Sequence, residues 1–182
     1  MVKLGFIHGR FQLFHNDHLR YALDAKAQCE KLIVGITSPE NAVLIREEVD
    51  PHRSNSADNP FTFYERFNMV KLALLGAGVP REDFEVVPFP IERPEILYNY
   101  VPLGATSFFT IYDQWGYEKL NRLTELGYKT VVIPRGEKAM CSTEIRHKIL
   151  NNEDWKYLVP DAVYDYITEN NLTDRVIQAL SR

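Results

Sequence analysis

The feature that most limits how this chain can fold is the regular alternation of strand-like and helix-like segments. Apolar runs of strand length lie at residues 2–7, 32–37, 84–89, 108–112 and 130–133. Segments with apolar side chains at helical spacing lie at residues 17–29, 60–75 and 115–126. Such alternation is typical of a parallel sheet with helices on both faces. We therefore predict an α/β fold of the Rossmann-like kind, whose ligand sites lie at the carboxyl ends of the strands.

The segment between the second strand and the second helix has a different character. Residues 38–59 are polar and contain proline, so we predict a long loop there. The helix that follows is expected to have Pro60 in its first turn. One face of that helix is predicted to be apolar and to carry Phe63, Phe67, Val70 and Leu74.

From about residue 142 onward the pattern is helical only. A chain of 182 residues with 45% hydrophobic residues can bury a sizeable core. We therefore predict a single domain over residues 1–182, in which residues 1–140 form the α/β core and residues 141–182 form helices packed on it. Cys29 and Cys141 are far apart and lack metal-ligand spacing, so we expect thiols rather than a disulfide or a zinc site.

The charge balance narrows the class of partner. The net charge is −4, and the sequence has no long run of charges of one sign. It therefore shows no charge pattern typical of proteins that bind nucleic acid or an anionic membrane surface. No segment approaches the roughly 20 consecutive apolar residues of a membrane span. The apolar segment among the first residues is too short for a signal peptide. We expect a cytoplasmic protein whose partners are small molecules.

The stretch "HGRFQLFHNDHL", residues 8–19, lies between the first strand and the first helix. A helix N-terminus after a strand is a phosphate site, because free N–H groups and the helix dipole converge there. Gly9 would allow a ligand to approach closely, and Arg10 can contact phosphate bidentately. His15 and His18 are three residues apart, so both imidazoles can point at one phosphate. His8 either joins this site or merely ends the strand.

A second element of the same type is "CSTEIRHKIL", residues 141–150. Ser142 or Thr143, followed by Glu144, is predicted to cap the start of a helix, with Arg146 one turn further on. Hydroxyls and an arginine at a helix N-terminus suit the outer phosphates of a triphosphate. The alternative is that Ser142 only caps the helix and Arg146 only pairs with a surface carboxylate.

These segments resemble the two signatures of the nucleotidylyltransferase superfamily. "GRFQLFHNDHL" resembles its HxGH signature and "STEIR" its second signature, while "DNPFTFYERFNMV", "VVPFPIE" and "DWKYLVPDAVYDYI" resemble segments of the archaeal-type nicotinamide-mononucleotide adenylyltransferases. The resemblance implies a nucleoside triphosphate with Mg²⁺, whose α-phosphorus is attacked directly by the phosphate of a second substrate with release of pyrophosphate. It implies no covalent enzyme intermediate, and it suggests a homo-oligomer.

The resemblance also assigns roles to residues of this chain. His15, His18 and Arg146 would be catalytic, with the histidines on the triphosphate. Nucleotide-binding residues would be His8, Gly9, Arg10 and Phe11 in the first element and Ser142 and Thr143 in the second. Residues that hold a metal are not identified by the sequence.

The chain departs from the family pattern at several points. Asp17 stands where the HxGH signature has glycine, and Leu13 stands where proline is usual. A carboxylate beside a triphosphate is unfavourable unless it points away, caps the helix, or reaches a metal or a basic group. The Gly-Asn element of the nicotinamide-nucleotide pocket is replaced by "TIYDQWGYEKL". Asp113 and Trp115 within that segment are candidate acceptor-binding residues, although Trp115 is equally suited to packing.

The long loop contributes the remaining acceptor candidates, Arg46, His52 and Arg53. The alternative is a solvated loop, because nearby carboxylates almost cancel its charge. Three functions are therefore carried forward. The first is a nicotinamide-mononucleotide adenylyltransferase that uses ATP, and the second is a cytidylyltransferase that uses CTP and a small phosphonate or alcohol phosphate. The third is a nucleotide-binding sensor without turnover.

Overall fold

The structure is a computed structural model that describes residues 1–39, 58–111, 114–134 and 140–181, with Trp115 described by its backbone alone. One parallel sheet, in the strand order β3-β2-β1-β4-β5, runs through these residues. Its strands are β1 (Val2–Gly9), β2 (Cys29–Ile36), β3 (Phe84–Pro88), β4 (Thr106–Phe109) and β5 (Lys129–Val132). The strand order changes direction at β1, which pairs with β2 on one side and β4 on the other. In sheets of this kind, ligands bind at such a switch point.

Helices cover both faces of the sheet, as the sequence predicted. The α-helices are α1 (Asn16–Lys26), α2 (Phe63–Gly76), α3 (Gln114–Glu125), α4 (Ser142–Leu150), α5 (Asp161–Glu169) and α6 (Leu172–Leu180). Short 3₁₀ helices span Arg81–Asp83, Pro94–Asn99 and Lys156–Leu158. One buried apolar cluster takes residues from α1, α2 and the three C-terminal helices, and a second takes residues from α3 and the Pro94–Asn99 helix. Among the described helices, none is both long and apolar enough to cross a membrane.

The predicted start of the second helix is wrong by three residues. Pro60 is not in its first turn, because α2 begins at Phe63 after the N-cap residue Thr62. The Thr62 hydroxyl accepts a hydrogen bond from the Glu65 N–H, and the Glu65 carboxylate accepts one from the Thr62 N–H. This reciprocal pair satisfies two backbone donors at the helix start, which a start at Pro60 would not do.

The first helix and the fourth strand also differ from the predicted ranges. The helix ends at Lys26 rather than at residue 29, because Cys29 pairs with Val2 and begins β2. Strand β4 lies at Thr106–Phe109 rather than at residues 108–112, in register with Gly5 and Phe6 of β1. Pairing with a neighbouring strand therefore overrides the local pattern at both places.

The C-terminal helical pattern is interrupted at Pro160. A 3₁₀ turn, Lys156–Leu158, is followed by Val159 in an extended conformation, with φ −127° and ψ 158°. A residue before proline is driven out of the helical region by the proline ring, so the helical pattern predicted from about residue 142 onward is interrupted here. Helices α5 and α6 still add side chains to the first buried cluster, beside those from α1 and α2.

Candidate active site

The loop between β1 and α1 runs from Arg10 to His15 and is almost entirely buried. Phe11 adopts a left-handed conformation with φ 51°, which is uncommon for a residue with a side chain. The Phe11 ring lies against Gly9, where a Cβ atom would be 2.7 Å from the ring. Any side chain at position 9 would therefore displace Phe11. Close approach of a ligand to Gly9, as the sequence suggested, stays a prediction.

The two histidines of the signature are in contact. His15 occupies the N-cap position of α1 and is only 2% exposed. Its ring stacks on the ring of His18 with the centroids 3.6 Å apart and the planes inclined by 18°. The backbone N–H of His15 donates to His18 Nδ1 at 3.4 Å. A neutral His18 therefore carries its proton on Nε2, which is the tautomer that can donate to an anion from that nitrogen.

Aromatic rings enclose both His18 and His8. Phe11 packs edge-on against the His18 ring at 5.0 Å, and Phe14 packs against it at 5.5 Å. His8 lies inside β1, which continues to Gly9, so it does not end the strand. The His8 ring is stacked on Phe89 at 4.8 Å, on the sheet face that carries the second apolar cluster.

The second signature begins α4, but the predicted cap is wrong. Cys141 is the N-cap residue and Ser142 is the first residue of the helix. The Ser142 hydroxyl donates instead to the carbonyl of Leu13, at 3.1 Å. Thr143 Oγ1 accepts from Arg146 Nη2 at 3.2 Å. The Ser142 hydroxyl therefore joins α4 to the loop after β1, and the Thr143 hydroxyl bonds within α4.

Arg146 is 2% exposed and belongs to the interior. Its Nη1 donates to the Gln12 carbonyl at 2.6 Å, and its Nη2 donates to the Asp58 carboxylate at 2.6 Å. Asp58 is itself only 12% exposed, so the alternative of a pair with a surface carboxylate is wrong. Burial lowers the pKa of Arg146, and the Asp58 charge opposes that shift. Among the described residues, the buried Nε–H of Arg146 has no hydrogen-bond partner.

Two further residues hold the same loop and were not singled out by the sequence. The Gln12 side chain pairs with the backbone of Phe61. Its Nε2 donates to the Phe61 carbonyl at 3.0 Å, and the Phe61 N–H donates to its Oε1 at 2.9 Å. Arg66 is fully buried and donates to the carbonyl of Arg10 at 2.9 Å. The sequence offered one signal for Arg66: it stands on the predicted apolar face of a helix, between Phe63 and Val70.

The loop is therefore fixed through its carbonyl groups. Arg10, Gln12 and Leu13 each place a carbonyl against a donor from another element. The Arg10 charge also lowers the pKa of the Arg66 and Arg146 guanidinium groups. Three guanidinium groups lie near this buried loop, and Asp58 balances the charge of Arg146. The remaining positive charge suits a polyanionic ligand such as a triphosphate.

The residues that depart from the family signature have plain structural roles. The Asp17 carboxylate reaches a basic group, since Oδ1 accepts from Arg20 Nη2 at 2.6 Å. It is not the helix cap, because His15 occupies that position. Leu13 is fully buried in the first apolar cluster. The Leu13 side chain therefore serves hydrophobic packing.

The acceptor candidates are not placed by the structure. Arg46, His52, Arg53 and Asp113 lie outside the described residues, and Trp115 is known only as a backbone position in α3. Within the described part of the chain, no group of three His, Cys, Asp or Glu side chains is arranged to hold a metal ion. Cys29 and Cys141 are free thiols as expected, the first buried and the second half-buried.

Comparison with known proteins identifies the family. Residues 6–172 match the model of the cytidylyltransferase-like family, and the chain belongs to that family. It is 42% identical to a phosphonoformate cytidylyltransferase of Streptomyces viridochromogenes over 94% of each chain. It is 33% identical to a nicotinamide-nucleotide adenylyltransferase of Thermococcus sibiricus, over 94% of this chain and 87% of that one. The two relatives differ in the nucleotide and in the acceptor that their names state.

Solved structures agree on the fold. A bifunctional NMN adenylyltransferase/ADP-ribose pyrophosphatase of Francisella tularensis superposes with a TM-score of 0.71 at 18% identity, covering 98% of this chain and 53% of that one. The chain thus spans about half of that two-function protein. The same protein has been solved with AMP and a manganese ion, and that structure gives a TM-score of 0.69. The resemblance to the superfamily is confirmed, and the chain is a nucleotidylyltransferase.

Proposed function

We propose that this enzyme transfers CMP from CTP to an oxygen of a small phosphonate or phosphate acceptor and releases pyrophosphate. The observation that carries the choice of substrate is the 42% identity to a phosphonoformate cytidylyltransferase, against 33% to a nicotinamide-nucleotide adenylyltransferase. Asp17 in the signature and the missing Gly-Asn element are consistent with it. Phosphonoformate, a small trianion, is the first acceptor to test.

The geometry of the loop supports a reaction by direct displacement. An acceptor oxygen forms a bond to the α-phosphorus while the bond from that phosphorus to the bridging oxygen breaks, and pyrophosphate leaves with that oxygen. Negative charge builds up on the α-phosphoryl oxygens and on the leaving group. His18 Nε2–H, the N–H groups at the start of α1 and Arg10 are donors suited to that charge. Catalysis is then a matter of position and electrostatics, which a rigid loop provides.

Ser142, Thr143 and Arg146 are proposed to hold the outer phosphates. Arg146 Nη1 donates to the Gln12 carbonyl, Nη2 donates to Asp58 and Thr143, and Nε is the guanidinium nitrogen without a hydrogen-bond partner among the described residues. A β- or γ-phosphate oxygen at that nitrogen would satisfy a buried polar group. Binding of the triphosphate would thus stabilise the protein without breaking the ion pair with Asp58.

A divalent cation is expected to arrive with the triphosphate. Mg²⁺ is usually bound through substrate phosphates with one or two protein carboxylates, so a three-residue protein cage is not required. The described residues, which offer no such cage, fit a metal carried by the nucleotide. When bound, Mg²⁺ neutralises charge on the phosphates and on the departing pyrophosphate.

Adenylyl transfer to nicotinamide mononucleotide is the second candidate. It is favoured by relatives named for that activity, including one from Methanococcus aeolicus that is 33% identical over 92% of this chain. The resemblance of whole segments to archaeal enzymes of that name favours the same candidate. Homo-oligomeric assembly and a cytoplasmic location remain predictions, and light scattering of the purified chain tests the first.

A two-by-two assay separates the candidates. CTP and ATP, each with Mg²⁺, are combined with phosphonoformate and with nicotinamide mononucleotide, and pyrophosphate release is followed. We expect turnover with CTP and phosphonoformate. Turnover only with ATP and the mononucleotide would establish the second candidate. Calorimetry measures nucleotide binding, and 2-hydroxyethylphosphonate and alcohol phosphates are tested as further acceptors. Binding without turnover with any of these acceptors would support the third function, a nucleotide-binding sensor.

A further inference from the structure

Arg66 of α2 is a buried cation whose hydrogen bonds all go to backbone carbonyls among the described residues. It is fully inaccessible to solvent. Its Nη1 donates to the carbonyls of Arg10 and Thr37 at 2.9 and 2.8 Å, and its Nη2 donates to the Ser38 carbonyl at 2.8 Å. Its Nε donates to the Thr62 carbonyl at 3.3 Å, within its own helix start. One side chain therefore joins three segments of the chain.

Two of those segments are the carboxyl ends of neighbouring strands. Arg10 directly follows β1, and Thr37 and Ser38 directly follow β2. The two strand ends are also joined by a hydrogen bond from the Thr37 N–H to the Gly9 carbonyl, at 2.9 Å. Ser38 has a left-handed conformation with φ 48°, and its hydroxyl bonds the Glu92 carboxylate. The site-forming edge of the sheet is thus organised around one guanidinium group.

A guanidinium group is suited to this arrangement and other side chains are not. Its planar fork carries five N–H donors in fixed directions, so it can hold several carbonyls at set relative positions. A lysine ammonium carries three donors on one atom and cannot span the same carbonyls. Methionine has a similar length but no donor, and it would leave the carbonyls of Arg10, Thr37 and Ser38 without this buried donor.

The buried charge adds a functional link to Arg10. Burial and the neighbouring Arg10 charge lower the pKa of Arg66 to about 10, so Arg66 stays protonated at neutral pH. The two guanidinium charges repel each other, and a bound polyanion offsets the repulsion. The Arg66 side chain holds the backbone carbonyl of Arg10 at 2.9 Å.

We propose that Arg66 is a positioning residue for nucleotidyl transfer: by holding the Arg10 carbonyl against the end of β2, it sets where the Arg10 guanidinium meets the triphosphate. The proposal rests on the proposed function and adds to it a residue that contacts neither substrate. Arg66 acts on the reaction through Arg10, whereas a general contribution to folding would not depend on Arg10.

The test is a double-mutant cycle between positions 66 and 10, with kcat/KM for the nucleoside triphosphate as the readout. Arg66→Met is expected to lower kcat/KM about 10²-fold, because small misplacements of a catalytic group have effects of that size. Arg66→Lys is expected to lower it about 10-fold, since part of the hydrogen bonding is retained. In an Arg10→Ala background, either change should have an effect of less than about threefold, because the group being positioned is absent.

The matched control is Asn68→Ala. Asn68 is buried two residues further along α2, and it bonds the Tyr64 carbonyl and the Tyr166 hydroxyl rather than the loops of the site. We expect it to reduce thermal stability while leaving kcat/KM within about twofold of the unchanged chain. Circular dichroism and thermal melting report whether each variant is folded at the assay temperature.

Three outcomes overturn the proposal. One is an Arg66 effect that persists in full in the Arg10→Ala background, and another is an unchanged kcat/KM in folded Arg66 variants. The third is failure of both Arg66 variants to fold while Asn68→Ala folds, which would show a purely structural role. Absence of turnover by the unchanged chain with every substrate pair would instead contradict the proposed function, so the two failures are distinguishable.

Discussion

Two polar networks at the edges of the sheet use the same kinds of side chain with different consequences. Around the loop after β1, Arg66 and Arg146 are buried and donate to backbone carbonyls. At the outer strand β3, Glu85 accepts from Lys31 at 3.1 Å and from Arg81 at 3.2 Å, and all three side chains are more than 40% exposed. Solvent competes for the second set of bonds and not for the first.

The comparison shows which region of this fold is held rigidly. A buried donor that loses its partner leaves a polar group without water, whereas an exposed pair simply becomes hydrated. The loop that ends at His15, whose ring stacks on His18, is therefore constrained by interactions whose loss is strongly destabilising. At the outer strand β3, each exposed ion pair contributes little to the free energy of unfolding. Substitutions that remove similar groups from the two regions should differ widely in effect.

The largest effect is expected for Arg146→Met. It removes the buried guanidinium that pairs with Asp58 and bonds the Gln12 carbonyl, so the free energy of unfolding should fall by about 3–5 kcal/mol. Urea denaturation measures this loss. Arg20→Met is the matched control: Arg20 pairs with Asp17 but is 62% exposed, so less than about 1 kcal/mol should be lost. Equal losses in the two variants would refute the contrast between buried and exposed pairs.

His18→Ala is expected to lower kcat by about 10²-fold or more while the KM for the nucleotide changes less. The reason is that its Nε2–H acts on charge that develops only during the reaction. Steady-state kinetics with the active substrate pair measure the change. His147→Ala, on the exposed side of α4, should leave kcat unchanged. A loss confined to KM would show that His18 only binds the ground state.

Gln12→Ala tests the clamp between the loop and Phe61. Both the N–H and the carbonyl of Phe61 lose a buried partner, so the unfolding free energy should fall by about 1–3 kcal/mol. Gln28→Ala serves as the control, because Gln28 bonds the Asp24 carbonyl at the surface and its loss should be close to neutral. A neutral Gln12→Ala would mean that water replaces the clamp.

The smallest effect is expected for Glu85→Gln, and it should depend on pH. The hydrogen bond from Lys31 lowers the pKa of Glu85 from its ordinary value of 4.5. A carboxyl with a lowered pKa in the fold adds stability above its unfolded pKa, and this is lost as pH falls through the folded value. At pH 7 the variant should be less stable by under about 1 kcal/mol, since the pair is exposed. At acidic pH, below the folded pKa, thermal melting should give equal stabilities.

Much of the fold was predictable because periodic apolar patterns report burial directly. The strands at Leu32 and Phe84 and the helix after His15 follow from such patterns. The ends of elements were less predictable, because they depend on partners distant in sequence. Cys29 begins a strand only because Val2 lies beside it, and α2 begins at Phe63 because Thr62 and Glu65 cap each other.

The candidate site was predictable where it is local in sequence. The three-residue spacing of His15 and His18 places them on one side of a helix start, and the structure brings their rings together. The hydrogen bonds from Gln12 to Phe61, from Arg66 to Ser38 and from Arg146 to Gln12 were not predictable, because each joins residues at least 28 positions apart. A buried arginine has no periodic signature of its own, and only its place on an apolar helix face distinguishes it.

The most direct test of the account follows the α-phosphorus itself. CTP labelled with ³²P at the α-position is mixed with Mg²⁺, phosphonoformate and an excess of enzyme, and the mixture is stopped in acid and separated. The account predicts that label passes from CTP to the acceptor adduct, that none stays on the precipitated protein, and that His18→Ala slows the transfer. Label bound to the protein would contradict direct displacement, and no transfer from either labelled CTP or labelled ATP to any acceptor would contradict nucleotidyl transfer.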